Sequence, residues 1–184
     1  MAKIAIYGGT FDPIHKGHLH VIEQVISRGI ADRILIIPAG QPLLRDSQPI
    51  ASGAERRAMC VQALADLPSE IAKKVEVNPI EILRSGPSYA IDTVDAVAQT
   101  YPDDEILLIV GTDAFAKIEQ WHRSDELQDK VDFIVIDRPE FPGDATIDIG
   151  ALNISATQIR AGELDALSPH VATYIKEHNL YASK

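Results

Sequence analysis

The stretch KIAIYGGTFDPIHKGHL, residues 3 to 19, decides the fold. Its apolar opening, KIAIY, reads as a first strand. Gly8 and Gly9 end that run, and Asp12 with Pro13 makes a turn. A helical pattern starts near Gly17, with Leu19, Ile22, Val25 and Ile26 on one face and Gly29 as its stop. A strand that hands over to a helix through a glycine-rich turn is the opening unit of an α/β sheet.

The rest of the chain repeats that alternation. DRILIIP (32–38), EILLIVG (105–111) and DFIVIDR (132–138) read as further strands. KVEVNPIEI (74–82) is strand-like, although Pro79 weakens its second half. Between them, Ser52 and Glu55 form a capping box for a helix running to about Ala65. Ser88 can cap the helix that carries Ile91, Val94 and Val97. DAFAKIEQW and SDELQDKV are helical pieces, and Ser168 with Pro169 opens a last helix. Continuous aliphatic strands separated by helices predict a doubly wound parallel sheet in three α/β/α layers. The segments 38–53 and 138–150 read as loops beside a site rather than as linkers.

Composition narrows the possible functions. The chain has 184 residues, enough for one domain with a sizeable core. Its net charge of -10 argues against nucleic-acid binding, which needs a basic face. A small anion needs only a local cluster of donors and remains compatible. The single cysteine, Cys60, excludes an internal disulfide and suits a reducing, cytoplasmic setting. The longest aliphatic run, ILLIV (106–110), is too short to span a membrane.

In parallel sheets, ligands sit beyond the carboxyl ends of the strands. Gly8 and Gly9 lie in that zone and let a ligand approach the backbone. The helix that follows offers free amides and a positive dipole end. His15 and His18 flank its start, and at that spacing two imidazoles can face one point. Together these features describe a polyphosphate seat. Two plainer readings stand beside it. The pair could bind a metal, but no Cys lies nearby, and no protein-bound metal is expected. The pair could also be simple helix-entry residues. Neither G-x-x-x-x-G-K-[ST] nor G-x-G-x-x-G occurs after the strand.

GGTFDPIHKGH resembles the signature of the nucleotidyltransferases that carry an H-x-G-H motif, here His15 to His18. Within that superfamily the chain resembles the bacterial nicotinate-nucleotide adenylyltransferases. RSGPSYAIDTV (84–94) is similar to their R-x-x-P-S-Y-T-x-x-T-L segment, and GTDAF (111–115) with Trp121 to their G-x-D segment and downstream Trp. RPEFP is similar to their R-P-G-Y turn, NISATQIR (153–160) to their I-S-[SA]-T-x-I-R signature, and YIKEHNLY to their C-terminal helix. These matches run in order over almost the whole length. The resemblance therefore implies a single Rossmann-like nucleotidyltransferase domain over residues 1–184. It also implies a reaction: ATP and nicotinate mononucleotide, with Mg2+, would give nicotinate adenine dinucleotide and pyrophosphate, a step of NAD biosynthesis.

The same resemblance implies roles. His15, His18 and Arg160 would be catalytic, holding the triphosphate and its developing charge. Gly8, Gly9, Thr10, Phe11, Gly111, Asp113, Ser155 and Thr157 would bind ATP, with Asp113 on a ribose and Ser155 and Thr157 opening a second anion seat. Arg45, Tyr89, Ala90, Thr93, Trp121 and Arg138 would bind the mononucleotide, with Trp121 stacked on the pyridine ring. Plainer readings make Trp121 a core residue, Arg138 and Arg160 surface charges, and Tyr89 and Thr93 packing groups. Lys16 reads as solvent-facing.

The pattern departs from the family in two places. The family often has P-P-H-[KR] after its second strand, where this chain has QPLLRD (41–46), and its S-Y-T is S-Y-A here. The resemblance places recognition of the pyridine carboxylate partly on backbone amides, which survive both substitutions. Other readings remain open: a nucleotide-binding relative without turnover, or transfer to another phosphorylated acceptor such as nicotinamide mononucleotide or phosphopantetheine. Intact His15, His18, Ser155 and Arg160 argue against the first. The partners implied are small molecules, with no nucleic acid and no membrane, and an assembly of identical copies is allowed.

Overall fold

The strands carry apolar side chains on both sides, so both sheet faces must be covered. The computed structural model describes residues 1–41 and 47–182. In chain order the elements are β1 (Lys3–Gly9), α1 (Lys16–Ser27), β2 (Arg33–Pro38), α2 (Gly53–Leu64), α3 (Ser69–Ala72), β3 (Val75–Val77), α4 (Ile80–Leu83) and α5 (Ala90–Thr100). Then come β4 (Glu105–Gly111), α6 (Thr112–Phe115), a 3-10 turn (Ile118–Gln120), α7 (Ser124–Lys130), β5 (Asp132–Ile136), α8 (Ala156–Arg160) and α9 (Pro169–Glu177).

The sheet has five parallel strands in the order β3-β2-β1-β4-β5. Strand alternation divides the core in two. Ala5, Ile34, Ile36, Leu107, Ile109 and Ile134 face one side, against Leu19, Ile22 and Val25 of α1, Met59 and Ala63 of α2 and Val171 of α9. Ile4, Ile6, Leu35, Ile37, Leu108 and Val135 face the other, against Ile91, Val94 and Val97 of α5 and Leu127 of α7. This is the expected three-layer α/β fold. β1 leads outward to β2 and β3, and the chain then returns to place β4 on the other side of β1. The order reverses between β1 and β4, where a crevice opens beyond the carboxyl ends.

Several local expectations hold and others are corrected. The capping box at α2 forms fully: Ser52 Oγ accepts from Glu55 N at 3.2 Å, and Glu55 Oε2 accepts from Ser52 N at 2.7 Å. Gly29 follows α1 with φ +66°, as a left-handed stop. Residues 78–82 are not strand. β3 ends at Val77, Asn78 Oδ1 accepts from Ile80 N at 3.0 Å, and Pro79 leads into α4. The missing N–H of Pro79 makes a strand there costly and a helix entry cheap. Ser88 does not cap α5, whose N-cap is Tyr89; its hydroxyl accepts from Arg84 Nη1 at 3.4 Å instead. Ser168 sits at the N-cap of α9 without a hydroxyl cap bond, and Pro169 takes the first turn. No helix of the described residues is long and apolar enough to cross a membrane.

Ile36 is fully buried at the centre of this arrangement, between β1 and β3. Ile36→Ala should lower unfolding free energy by about 2–5 kcal/mol, read as a lower urea midpoint at unchanged m-value.

Candidate active site

β1 ends on Gly8 and Gly9, and the chain turns through Thr10 to Ile14 before α1 begins. His15 is the N-cap of α1 and His18 its third helical residue. Helix starts carry backbone N–H groups without intrahelical partners. Here the imidazoles accept from them. Gly17 N donates to His15 Nδ1 at 3.2 Å, and His15 N donates to His18 Nδ1 at 3.1 Å. Each Nδ1 is thereby an acceptor, so in a neutral ring the proton sits on Nε2. The two rings stack with centroids 3.7 Å apart, and Phe11 lies edge-on to His18 at 5.0 Å. Capping thus fixes which atom of each ring can donate to a ligand.

His15 is 4% exposed. Burial, with the Arg138 charge behind it, lowers its pKa to about 4. It is a neutral N–H donor at pH 7. The phenol of Tyr7, whose ring lies edge-on to those of Phe11 and His18, is pushed above its ordinary value by burial. Gly17 has a packing reason as well. A Cβ there would meet Cε1 and Nδ1 of His15 at 3.0 Å, tight enough to tilt the ring. A Cβ on Gly8 would meet nothing within 4 Å, so that glycine faces open space.

That space is a cavity of about 630 Å3 beyond β1, β4 and β5. Gly8, Gly9, Thr10, Phe11, His15 and His18 line one wall. Gly111 and Asp113, at the end of β4, line a second with Arg138, whose Nε lies 3.5 Å from Asp113 Oδ1. Ser155 and Thr157 line a third. α8 is a single turn of five residues, so it adds amides and hydroxyls but little macrodipole. Tyr89, Ala90, Thr93 and Trp121 close the far end at the start of α5. Trp121 answers to two readings at once: it packs on the core under β4 and also faces the cavity. Its Nε1 is buried with no hydrogen-bond partner among the described residues.

One expected residue is not among that lining, and another cannot be placed against it. Arg45, with the LL of QPLLRD, lies outside the described residues. Arg160 is not among the lining side chains. Its Nη1 donates to the Asp12 carbonyl at 2.6 Å and its Nη2 to Thr157 Oγ1 at 3.2 Å, so it stands directly behind the loop.

The structure also adds residues that the sequence reading missed. Arg56 is 2% exposed and donates to the Thr10 carbonyl at 2.8 Å and the Ala51 carbonyl at 3.3 Å. Nothing in a helix-period pattern marks one arginine as buried. Glu81 lines the cavity, accepts from Thr93 Oγ1 at 2.7 Å, and has its pKa raised by burial. It was hidden by the strand reading of 78–82. His122 stacks on Tyr89 with centroids 4.2 Å apart; its place beside Trp121 was the available signal. Among the described residues, no three His, Cys, Asp or Glu side chains converge as a metal cage.

The chain has recognisable relatives. The family described as "Cytidylyltransferase-like" matches residues 6–162. A "Probable nicotinate-nucleotide adenylyltransferase" of Bacillus pumilus is 35% identical, and the "Nicotinate-nucleotide adenylyltransferase" of Bacillus subtilis is 34% identical; each alignment covers 100% of both chains. In structure, the chain is similar to a Plasmodium falciparum nicotinic acid mononucleotide adenylyltransferase complexed with NaAD. That TM-score is 0.83 at 21% identity, over 98% of each chain, and it speaks to the fold.

Two measurements check this geometry. The ring protons of His15, followed by NMR, should not titrate between pH 8 and about 5.5; a midpoint near 6.5 would contradict the burial. The unfolded chain takes up that proton at higher pH than the folded one. Stability should therefore fall by up to about 3 kcal/mol as pH drops from 6.5 towards 4. Gly8→Ala should leave the unfolding midpoint within experimental error yet weaken nucleotide binding by roughly tenfold or more, read by calorimetric titration.

Proposed function

The chain belongs to the cytidylyltransferase-like family and, through its full-length relatives, to the nicotinate-nucleotide adenylyltransferases, and on that premise we propose how its cavity joins ATP to nicotinate mononucleotide. The observation that carries the proposal is the pair of Nδ1-capped imidazoles at the mouth of α1, beside open space at Gly8.

The reaction is a direct displacement. A phosphate oxygen of the mononucleotide attacks the α-phosphorus of ATP. A new P–O bond forms, the α–β bridging bond breaks, and pyrophosphate leaves with the electron pair. No covalent intermediate on the protein is needed, so the work is positioning and charge stabilisation. Nε2–H of His15 and of His18 donate to the triphosphate as charge develops on it. The amides around Thr10 and Phe11, and Ser155 and Thr157 opposite, hold the phosphates. Asp113 accepts from ribose hydroxyls at the end of β4, steered by Arg138. Trp121 stacks on the pyridine ring, with Tyr89, Ala90 and Thr93 around it. α5 has eleven residues, and its first amides face the same end of the cavity, where a pyridine carboxylate would be stabilised. Arg45 would reach the mononucleotide phosphate. Arg160 supports the loop and the Thr157 side of the triphosphate.

Nucleotidyltransferases of this kind use a divalent cation with ATP, and we take it to be Mg2+. The side chains present suit a cation carried on the nucleotide itself. Asp12, the carboxylate in the loop, already accepts from Ile50 N, Ala51 N and the Tyr181 hydroxyl. When bound with the nucleotide, such a cation would supply charge neutralisation to the phosphates, which His15, His18, Ser155 and Thr157 would hold.

The test is pyrophosphate release with ATP and Mg2+, comparing nicotinate mononucleotide, nicotinamide mononucleotide and phosphopantetheine as acceptors. Turnover should be highest with nicotinate mononucleotide. His18→Ala should lower kcat by roughly 10²–10³, the usual cost of removing one preorganised donor. ATP binding without turnover on any acceptor would point instead to a nucleotide-binding protein.

A further inference from the structure

Asp12 is 4% exposed and sits at the back of the phosphate loop. Its carboxylate accepts from Ile50 N at 2.9 Å, Ala51 N at 3.1 Å and the Tyr181 hydroxyl at 2.6 Å. Its main-chain carbonyl accepts from Arg160. One loop residue therefore ties together the segment before α2, the end of α8 and the turn after α9.

Tyr181 is held there at a cost. Its φ is +59°, and Asn179 two residues earlier has φ +51°. Asn tolerates the left-handed region, whereas a bulky aromatic residue rarely enters it. Such strain persists where the surroundings impose it. What the strained turn delivers is the phenol, placed on Oδ1 of Asp12. Burial pushes the phenol pKa up, so it remains the donor across the neutral range. Its hydroxyl also lies 3.9 Å from Met59 Sδ.

This contact bears on Arg160. The guanidinium lies 3.9 Å from Asp12 Oδ2 but bonds the carbonyl of the same residue and Thr157 Oγ1. A carboxylate that already accepts three donors attracts a fourth less. With the phenol removed, Oδ1 would be underused, and a two-point Arg–carboxylate fork would become the stronger alternative. Arg160 would then leave Thr157 and pull on the loop that carries His15.

We propose that Tyr181 is a positioning residue for the triphosphate: through Asp12 it holds Arg160 on Thr157 and keeps the loop of residues 10–15 in its binding geometry. This rests on the reading of the cavity as the ATP site. Tyr181 touches no reacting atom, so its effect should be confined to the nucleotide side.

The experiment is steady-state kinetics on Tyr181→Phe, Arg160→Ala and the double variant, with His18→Ala as the check on the site itself. Tyr181→Phe keeps the ring and loses only the hydroxyl. Its KM for ATP should rise about tenfold, with KM for nicotinate mononucleotide within twofold of wild type. In the Arg160→Ala background the same substitution should change KM for ATP by less than twofold, because the guanidinium it positions is gone. Unchanged KM for ATP in Tyr181→Phe, alongside the expected loss of kcat in His18→Ala, would overturn the proposal and leave the site reading standing. Equal losses for both substrates, or the same loss with and without Arg160, would also overturn it, reducing the phenol to a general stabiliser. Full activity in His18→Ala would remove the site reading and this proposal together.

Discussion

The start of α1 imposes the constraint on which the site depends. A helix must satisfy its first backbone N–H groups, and here imidazole nitrogens accept from two amides at that start. That choice removes an ambiguity. A free histidine can carry its proton on either nitrogen, but a ring whose Nδ1 accepts from a backbone amide can donate only from Nε2. Burial of His15 then keeps the ring neutral, so its hydrogen-bonding character does not drift with pH near neutrality. The same two rings thus satisfy the helix terminus through Nδ1 and keep Nε2 as the donor left for a ligand.

The sheet determines where those atoms stand. β1 and β4 are neighbours although the chain visits β2 and β3 between them. Their carboxyl ends therefore bring together residues more than a hundred positions apart: the loop after Gly9, and Gly111 with Asp113. α8 and the start of α5 close the remaining sides. A strongly acidic chain thus presents a cluster of donors in one crevice. Net charge says little about what such a crevice binds, because the backbone amides and the buried, neutral His15 imidazole that line it carry no formal charge.

Much of this was legible in the sequence, and what was not has physical reasons. β1, β2, β4 and β5 declared themselves because strands buried on both faces are almost uniformly aliphatic. His15, His18, Asp113, Ser155 and Trp121 were legible as motif residues at strand and helix ends. Pro79 misled only because a strand and a helix entry share the same local composition; the side chain of Asn78 decided between them. Ser88 looked like a cap, yet a serine hydroxyl serves whichever partner the tertiary fold brings, here Arg84. Glu81 was hidden by that same strand reading, whereas Arg56 and the Asp12–Tyr181 contact were illegible for a stronger reason. Each is a polar group buried against a distant segment, and no periodicity encodes a partner 46 or 169 positions away.

That last separation bears on how the protein is made. The ribosome delivers the N-terminal elements first, and domains begin to organise as they emerge. β1, the loop of residues 10–15 and α1 are the first segments to emerge. The hydroxyl that completes the Asp12 carboxylate arrives only after the sheet strands, α8 and α9 have been synthesised. For most of translation the rear support of that loop is therefore missing. The nascent chain carries the sequence of the loop long before it can close the contact that backs it.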